Sequence, residues 1–276
     1  MTLASDRAVP YGGTPMTIEL LMRRTGRGYP VVFLGGCPTP WDVLAPIADA
    51  IAATHESIEI ALPGYATSPA LPDPYSLAAA EQAIVATLAG AGVRECALVG
   101  FSGGAYRALS LALALAASNA IAVTALFSIS GLAALSPDEA TGSRQFAAAL
   151  RAGQDLRPLA APRFLSAPFA AAHPGAVRAV EGWLSAAPAG VIAAELDAFA
   201  NAPDLLPALA ALRIPIVARV GSADAAAPEP KSEAIVKACA SARLELVEGA
   251  GHALVYEDLD GTVASLRRLL EEQRTG

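Results

Sequence analysis

The residues with the clearest chemical potential surround Ser102. The segment Gly100-Phe101-Ser102-Gly103-Gly104 has the spacing G-x-S-x-G, between a strand-like apolar run (ECALVGF) and a Leu/Ala-rich helical stretch. A sharp strand-to-helix turn needs small residues at its flanks. It lifts the serine hydroxyl clear of a sheet and turns the next amide toward the same space. The bland alternative is an ordinary serine in a glycine-rich turn, and the strand before it and helix after it argue against that. A serine hydroxyl attacks a carbonyl only when a base takes its proton and an acid orients the base. The chain has three histidines: His55 ahead of an apolar run, His173 ahead of Pro174, and His252 directly after the last apolar run. His252 is expected on a loop at the C-terminal end of a strand, the edge where ligands and catalytic groups collect in open α/β sheets. The acid is expected after the preceding strand. Asp224 in PIVARVGSAD fills that place, whereas SISGLAALS offers no acid before Asp138. Asp197 and Asp204 read as helix or capping carboxylates.

An oxyanion developing at the attacked carbonyl needs hydrogen-bond donors. Gly103 N–H supplies one. The second is expected from Gly35-Gly36-Cys37-Pro38, where two glycines let the backbone approach closely; it is assigned to Cys37 N–H, with Gly36 as the neighbouring alternative. No histidine or cation lies near Cys37 in sequence to activate it, so its thiol reads as a small inert side chain.

These groups need a scaffold. Apolar runs near Thr17 and from Val31, Ser57, Glu95, Ala122, Pro215 and Arg243 alternate with helical windows at about 41–53, 76–90, 105–117 and 228–240. A last helix is expected from Glu257 into the charged tail. Alternation of this kind gives a mainly parallel sheet with helices on both faces. From about Gly131 to Pro207 the rhythm stops. Alanine-rich helical pieces are punctuated by prolines, and Phe146, Phe164, Phe169, Trp183 and Phe199 favour an ordered helical insertion over a linker.

Composition sets outer bounds. The 276 residues are 54% hydrophobic and 16% charged, with a formal net charge of −7, which excludes a disordered tail or a coiled coil. No basic stripe is present to displace counterions, so no nucleic-acid partner is expected. Three scattered cysteines give neither a disulfide framework nor a metal-type spacing and fit a reducing, cytoplasmic setting. The first residues lack the apolar core of a signal peptide. The uncharged stretch between Arg107 and Asp138 is long enough for a membrane span. Ser118-Asn119 divides it, however, into helix formers and a β-branched run, so a buried helix and strand are expected instead. Neither a dinucleotide-binding G-x-G-x-x-G nor a phosphate-loop G-K-[ST] is found, and nothing in the sequence calls for a metal or organic cofactor. The expected partner is a small-molecule substrate; the sequence gives no handle on oligomeric state.

The motifs together resemble the α/β-hydrolase superfamily over nearly the whole chain, and most of all its small capped serine esterases, enol-lactonases and cofactor-free perhydrolases. LGGCPTPW resembles the oxyanion loop usually written H-G-x-P, GFSGG the nucleophile elbow, RVGSAD the acid segment and GAGHALVYED the histidine loop. The resemblance implies an eight-stranded, mostly parallel sheet from residues 1–130 and 207–276, with a helical cap, 131–206, inserted after strand six. It departs from the family pattern at Gly35, where a loop-bracing histidine is usual. Ser102 separates the chain from haloalkane dehalogenases and epoxide hydrolases, which use aspartate there. The implied activity is hydrolysis of a small to medium, largely apolar ester or lactone through an acyl-enzyme. Acyl transfer by a thioesterase- or cyclase-type tailoring enzyme with the same triad is the alternative, and a non-catalytic binding protein a further one. Trp41, Phe101, Tyr106 and Trp183 are candidate pocket walls, although the aromatics of the insertion could equally just pack it onto the sheet. Arg144, Arg151, Arg157, Arg163 and Arg178 could bind a substrate carboxylate or read as a solvated face. Glu181, Glu195 and Asp197 are the candidate anchors for a substrate ammonium.

Overall fold

The computed structural model describes residues 18–275. Among the described residues seven strands form one sheet in the order β1-β3-β2-β4-β5-β6-β7. They are β1 (Met22–Gly26), β2 (Pro30–Leu34), β3 (Glu56–Ile60), β4 (Glu95–Phe101), β5 (Ala122–Ile129), β6 (Ile216–Gly221) and β7 (Ala242–Val247). Only β1 runs antiparallel, against β3; all other pairings are parallel. The central strands are buried on both faces and read as unbroken apolar runs, as a helix-covered parallel sheet requires. One side is covered by α2 (Leu77–Gly90), α3 (Gly103–Ser118) and α10 (Glu229–Ala238), the other by α1 (Ala45–Ile51) and α11 (Leu259–Thr275). The uncharged stretch after Arg107 is indeed a buried helix, α3, followed by a buried strand, β5. Among the described residues no helix is long and apolar enough to cross a membrane.

The resemblance implied eight strands and an insertion after the sixth; the described residues hold seven, and the helical excursion follows the fifth of these. One expectation needs correction. The first strand was expected over TIELLM near Thr17, which itself lies outside the described residues, as does the segment read for a signal peptide. The ladder forms instead on the polar MRRTG that follows. Leu20 is buried, while Arg23 and Arg24 reach across the edge to Glu59 and Glu56. Cross-strand charge pairs suit a solvent-facing edge better than leucines do.

Between β5 and β6 the chain runs through α4 (Pro137–Arg151), α5 (Ala160–Phe164), α6 (Ala167–Ala172), α7 (Pro174–Gly182), α8 (Ala189–Ala200) and α9 (Leu206–Leu209) without a strand. The prolines that punctuate this segment mostly start helices: one stands in the first turn of α4, α6 and α7, and Pro188 caps α8. Proline fits there because the first amides of a helix have no intrahelical acceptor. Ser136 and Glu139 close a reciprocal capping box on α4.

Candidate active site

Ser102 stands at the junction of β4 and α3 with φ 55° and ψ −121°, a left-handed conformation that costs a non-glycine residue about 1–3 kcal/mol. The strain is held by packing on both sides. A side chain on Gly100 would collide with the Gly104 carbonyl and Ala105, and one on Gly104 with the carbonyls of Leu34 and Gly35. Ser102 N–H also donates to Ile129 O at 2.9 Å, tying the turn to the end of β5.

The loop after β2 closes against this turn. A Cβ on Gly36 would lie 2.7 Å from Phe101 O and 3.0 Å from Ser102 Cβ, so only glycine permits the approach. A Cβ on Gly103 would lie 3.6 Å from the Cys37 nitrogen, so the loop that carries the Cys37 amide packs directly against Gly103, next to Ser102. Neither N–H has an acceptor among the described residues. The absence of a histidine at position 35 is met by Thr39. Its hydroxyl donates to Gly36 O at 2.9 Å and its amide to the same oxygen at 3.2 Å. Carbonyl and amide of one trans peptide point in opposite directions, so fixing Gly36 O fixes the direction of Cys37 N–H. A Cβ on Gly35 would press on Thr39 Oγ1 at 3.2 Å. Glycine at 35 and threonine at 39 therefore belong together.

His252 follows β7 and is almost fully buried. Its Nδ1 meets both Asp224 oxygens, at 3.0 and 2.8 Å, while Nε2 is buried with no hydrogen-bond partner among the described residues. Asp224 is itself oriented, accepting from Ala226 N and Ala227 N at 2.8 Å each. The ring of His252 lies against Phe101, at 4.9 Å between centroids, and Phe164, at 5.4 Å. Ser130 Oγ holds the His252 carbonyl at 2.8 Å. One further residue steadies this loop, and its role is invisible in sequence. Glu257 accepts from Gly251 N (3.0 Å), Ser166 N (2.9 Å) and Ser166 Oγ (2.6 Å), stapling the histidine loop to the helical excursion.

The other sequence candidates fall elsewhere. His55 precedes β3, at the opposite ends of the strands, and His173 is exposed on the excursion with Nδ1 at Phe169 O. Asp197 pairs with Arg151, and Asp204 caps Leu206 N. Burial, and then the Glu195 carboxylate, pushes the Cys37 thiol well above its usual range, and its sulfur faces Ile192 O at 3.9 Å. A thiolate nucleophile is disfavoured there.

Beside Ser102 opens a cavity of about 310 Å³, near the small end of ligand pockets. Its apolar wall comes largely from the excursion: Leu135, Phe146, Phe164, Leu196 and Phe199. Glu139, Lys231 and Arg163 bring charge to the wall. None of the four expected pocket aromatics lines it. Phe101 and Trp183 stack edge to face at 5.9 Å behind His252, Tyr106 supports Phe199 and donates to Pro203 O at 2.8 Å, and Trp41 lies under Arg23. Proximity in sequence misled because residues before and after a turn point into the core. The cavity is furnished by residues distant along the chain.

Glu195, considered as an ammonium anchor, is instead fully buried in an ion pair with Arg107, and accepts from Tyr65 OH at 2.7 Å. Arg107 also lies over the Phe199 ring at 5.1 Å, and this network fastens α8 to α3.

Among solved structures the chain is similar in fold to a thermophilic esterase from Thermogutta terrifontis. The TM-score is 0.86 at 24% identity, covering 96% of this chain and 97% of that one. The enol-lactonase from Burkholderia xenovorans LB400 has a TM-score of 0.81 at 19% identity, covering 91% and 96%. An esterase from Exiguobacterium antarcticum has 0.79 at 18%, covering 91% and 95%. No curated protein matches the chain in sequence. The family-level match runs from Val31 in β2 to Ser265 in the last helix, residues 31–265, and on that extent the chain belongs to the alpha/beta hydrolase family.

Proposed function

We propose that the protein is a serine hydrolase acting on carboxylic esters or lactones through an acyl-enzyme. The observation that carries this reading is the buried His252–Asp224 pair, in which His252 Nε2 has no hydrogen-bond partner among the described residues, at the sheet edge that also presents Ser102 on a strained turn. In this reading Ser102 Oγ attacks the carbonyl carbon while His252 Nε2 accepts its proton. Asp224 holds the tautomer with hydrogen on Nδ1 and stabilises the imidazolium. The amides of Cys37 and Gly103 receive the oxyanion, which is worth about 10²–10³ in rate per donor in such sites. As the tetrahedral intermediate collapses, imidazolium gives its proton to the leaving alkoxide; water then enters by the same route in reverse. Residues 131–206 act as a cap, because its helices supply most of the apolar wall beside Ser102. A cavity of this size suits a small to medium acyl or alkyl group. The test is the initial rate on p-nitrophenyl esters from acetate to decanoate for wild type and Ser102→Ala. Turnover that falls to background in the variant supports the reading. Equal rates in both proteins sink it.

A further inference from the structure

We propose that the ester or lactone taken by this cavity carries a carboxylate, and that Arg163 is the residue that receives it; the proposal rests on the serine-hydrolase reading above. Among the described residues three charged side chains reach the cavity wall. Two of them cancel: Lys231 Nζ is paired with Glu139 and donates to Ala134 O at 3.2 Å. Arg163 has no hydrogen bond or ion pair among the described residues, which leaves a single uncompensated positive charge on the wall. Other arginines of the excursion are differently placed. Arg144 binds Ala200 O and Asn201, Arg151 pairs with Asp197, and Arg178 lies in a separate depression with Asp155 and Glu181.

The position of Arg163 is set by its neighbour. It stands in the last turn of α5 directly before Phe164, whose ring lies against His252, so its backbone is anchored beside the base. A guanidinium is charged at any working pH and offers a planar fork of donors that matches a carboxylate in two bonds. It is exposed; a ligand closing over it would exclude water and strengthen the pairing. The contrast with the rest of the molecule adds steering, since a locally positive cavity opens in a chain of net charge −7. The same placement disfavours an ammonium-bearing substrate. Glu181, Glu195 and Asp197 do not line the cavity, and Glu139 is already held by Lys231.

The test uses two matched ester pairs, followed by pH-stat titration: monoethyl suberate against ethyl octanoate, which places the charge on the acid side, and 4-butanoyloxybutanoate against butyl butanoate, which places it on the alcohol side. Wild type, Arg163→Gln and Arg163→Lys are compared at 0.02 and 0.5 M NaCl. The expected result is a kcat/KM at least tenfold higher for the anionic member of one pair in wild type, shrinking with salt. Arg163→Gln reduces that preference to within twofold, chiefly by lowering kcat/KM for the anionic ester, and Arg163→Lys keeps part of it. A preference that survives Arg163→Gln, or no preference in either pair for wild type, overturns the proposal. Failure of wild type to hydrolyse any of the four esters overturns the hydrolase reading itself, and this proposal with it.

Discussion

Replacing Thr39 by valine removes one oxygen and almost no volume, which makes it a sharp probe of how the oxyanion loop is held. Gly36 O receives two hydrogen bonds from residue 39, at 2.9 Å from the hydroxyl and 3.2 Å from the amide. Valine keeps the second and loses the first. A neutral hydrogen bond contributes about 0.5–1.5 kcal/mol net, so the fold should lose about 1 kcal/mol, a Tm shift of roughly 2–4 °C for a chain of this size. The effect on turnover should be of similar size, because the Gly36–Cys37 peptide is loosened but not removed. Deleting an oxyanion donor outright costs about 2.7–4 kcal/mol, and a donor with freedom to turn loses a fraction of that, about tenfold in kcat. KM should stay within about twofold, since Thr39 is buried and does not line the cavity. Thr39→Ser restores the hydroxyl and should recover most of kcat. Steady-state kinetics on a p-nitrophenyl ester, paired with thermal unfolding, reads both quantities. A variant that loses 2–4 °C while kcat stays at the wild-type value would falsify the positioning role and leave only a structural bond.

Three other perturbations test the scaffold. Glu195→Ala leaves Arg107 buried and uncompensated, at a cost of about 3–5 kcal/mol, so Tm should fall by roughly 10 °C. The double variant Arg107→Met with Glu195→Leu should recover most of it, and equal Tm values for wild type and Glu195→Ala would refute the assignment. Glu257→Gln puts an amide donor against the donors of Gly251 and Ser166, so kcat should drop about tenfold as the His252 loop loosens. Unchanged kinetics would remove Glu257 from the site. Burial alone would raise the Glu245 pKa, but the hydrogen bond from Ser265 and the charge of Arg219 outweigh it and hold it below 4.5. Its folded value thus lies below its unfolded one. The stability it contributes is complete above the unfolded value and is lost as pH falls through the folded one. Glu245→Gln should flatten the decline of Tm between about pH 5 and pH 3; an acid limb with the wild-type slope contradicts this.

The sheet was legible because its central strands are buried on both faces and so appear as uninterrupted apolar runs, with glycine and proline at the joins. Ser102 was legible for a local reason: the turn that strains it demands small residues at Gly100 and Gly104, and these leave a mark in consecutive positions. Asp224 and His252 could be named because each immediately follows a readable strand. What sequence hid was every contact made across the fold. Glu257 meets Ser166 over a separation of 91 residues, and Arg107 meets Glu195 over 88. Neither spacing carries a periodic signal. The pocket was hidden for the same reason. Trp183 and Phe101 look like wall material by type, yet they pack behind His252, while Phe146 and Leu196 reach the cavity from helices whose docking no local pattern encodes. At the amino-terminal edge, hydrophobicity pointed to TIELLM, but a solvent-facing strand is chosen by cross-strand charge pairs and not by apolar content.

The most direct test of the central claim is covalent capture of the nucleophile. Wild type, Ser102→Ala and His252→Ala are each incubated with an alkyl fluorophosphonate, digested and read by mass spectrometry. Attack by an activated serine should add one phosphonyl group to wild type, on the peptide containing Ser102. Ser102→Ala should remain unlabelled and His252→Ala should label at least about 10²-fold more slowly, within the range of general-base contributions. Labelling at another residue, or at Ser102 with the same rate in His252→Ala, would contradict the account.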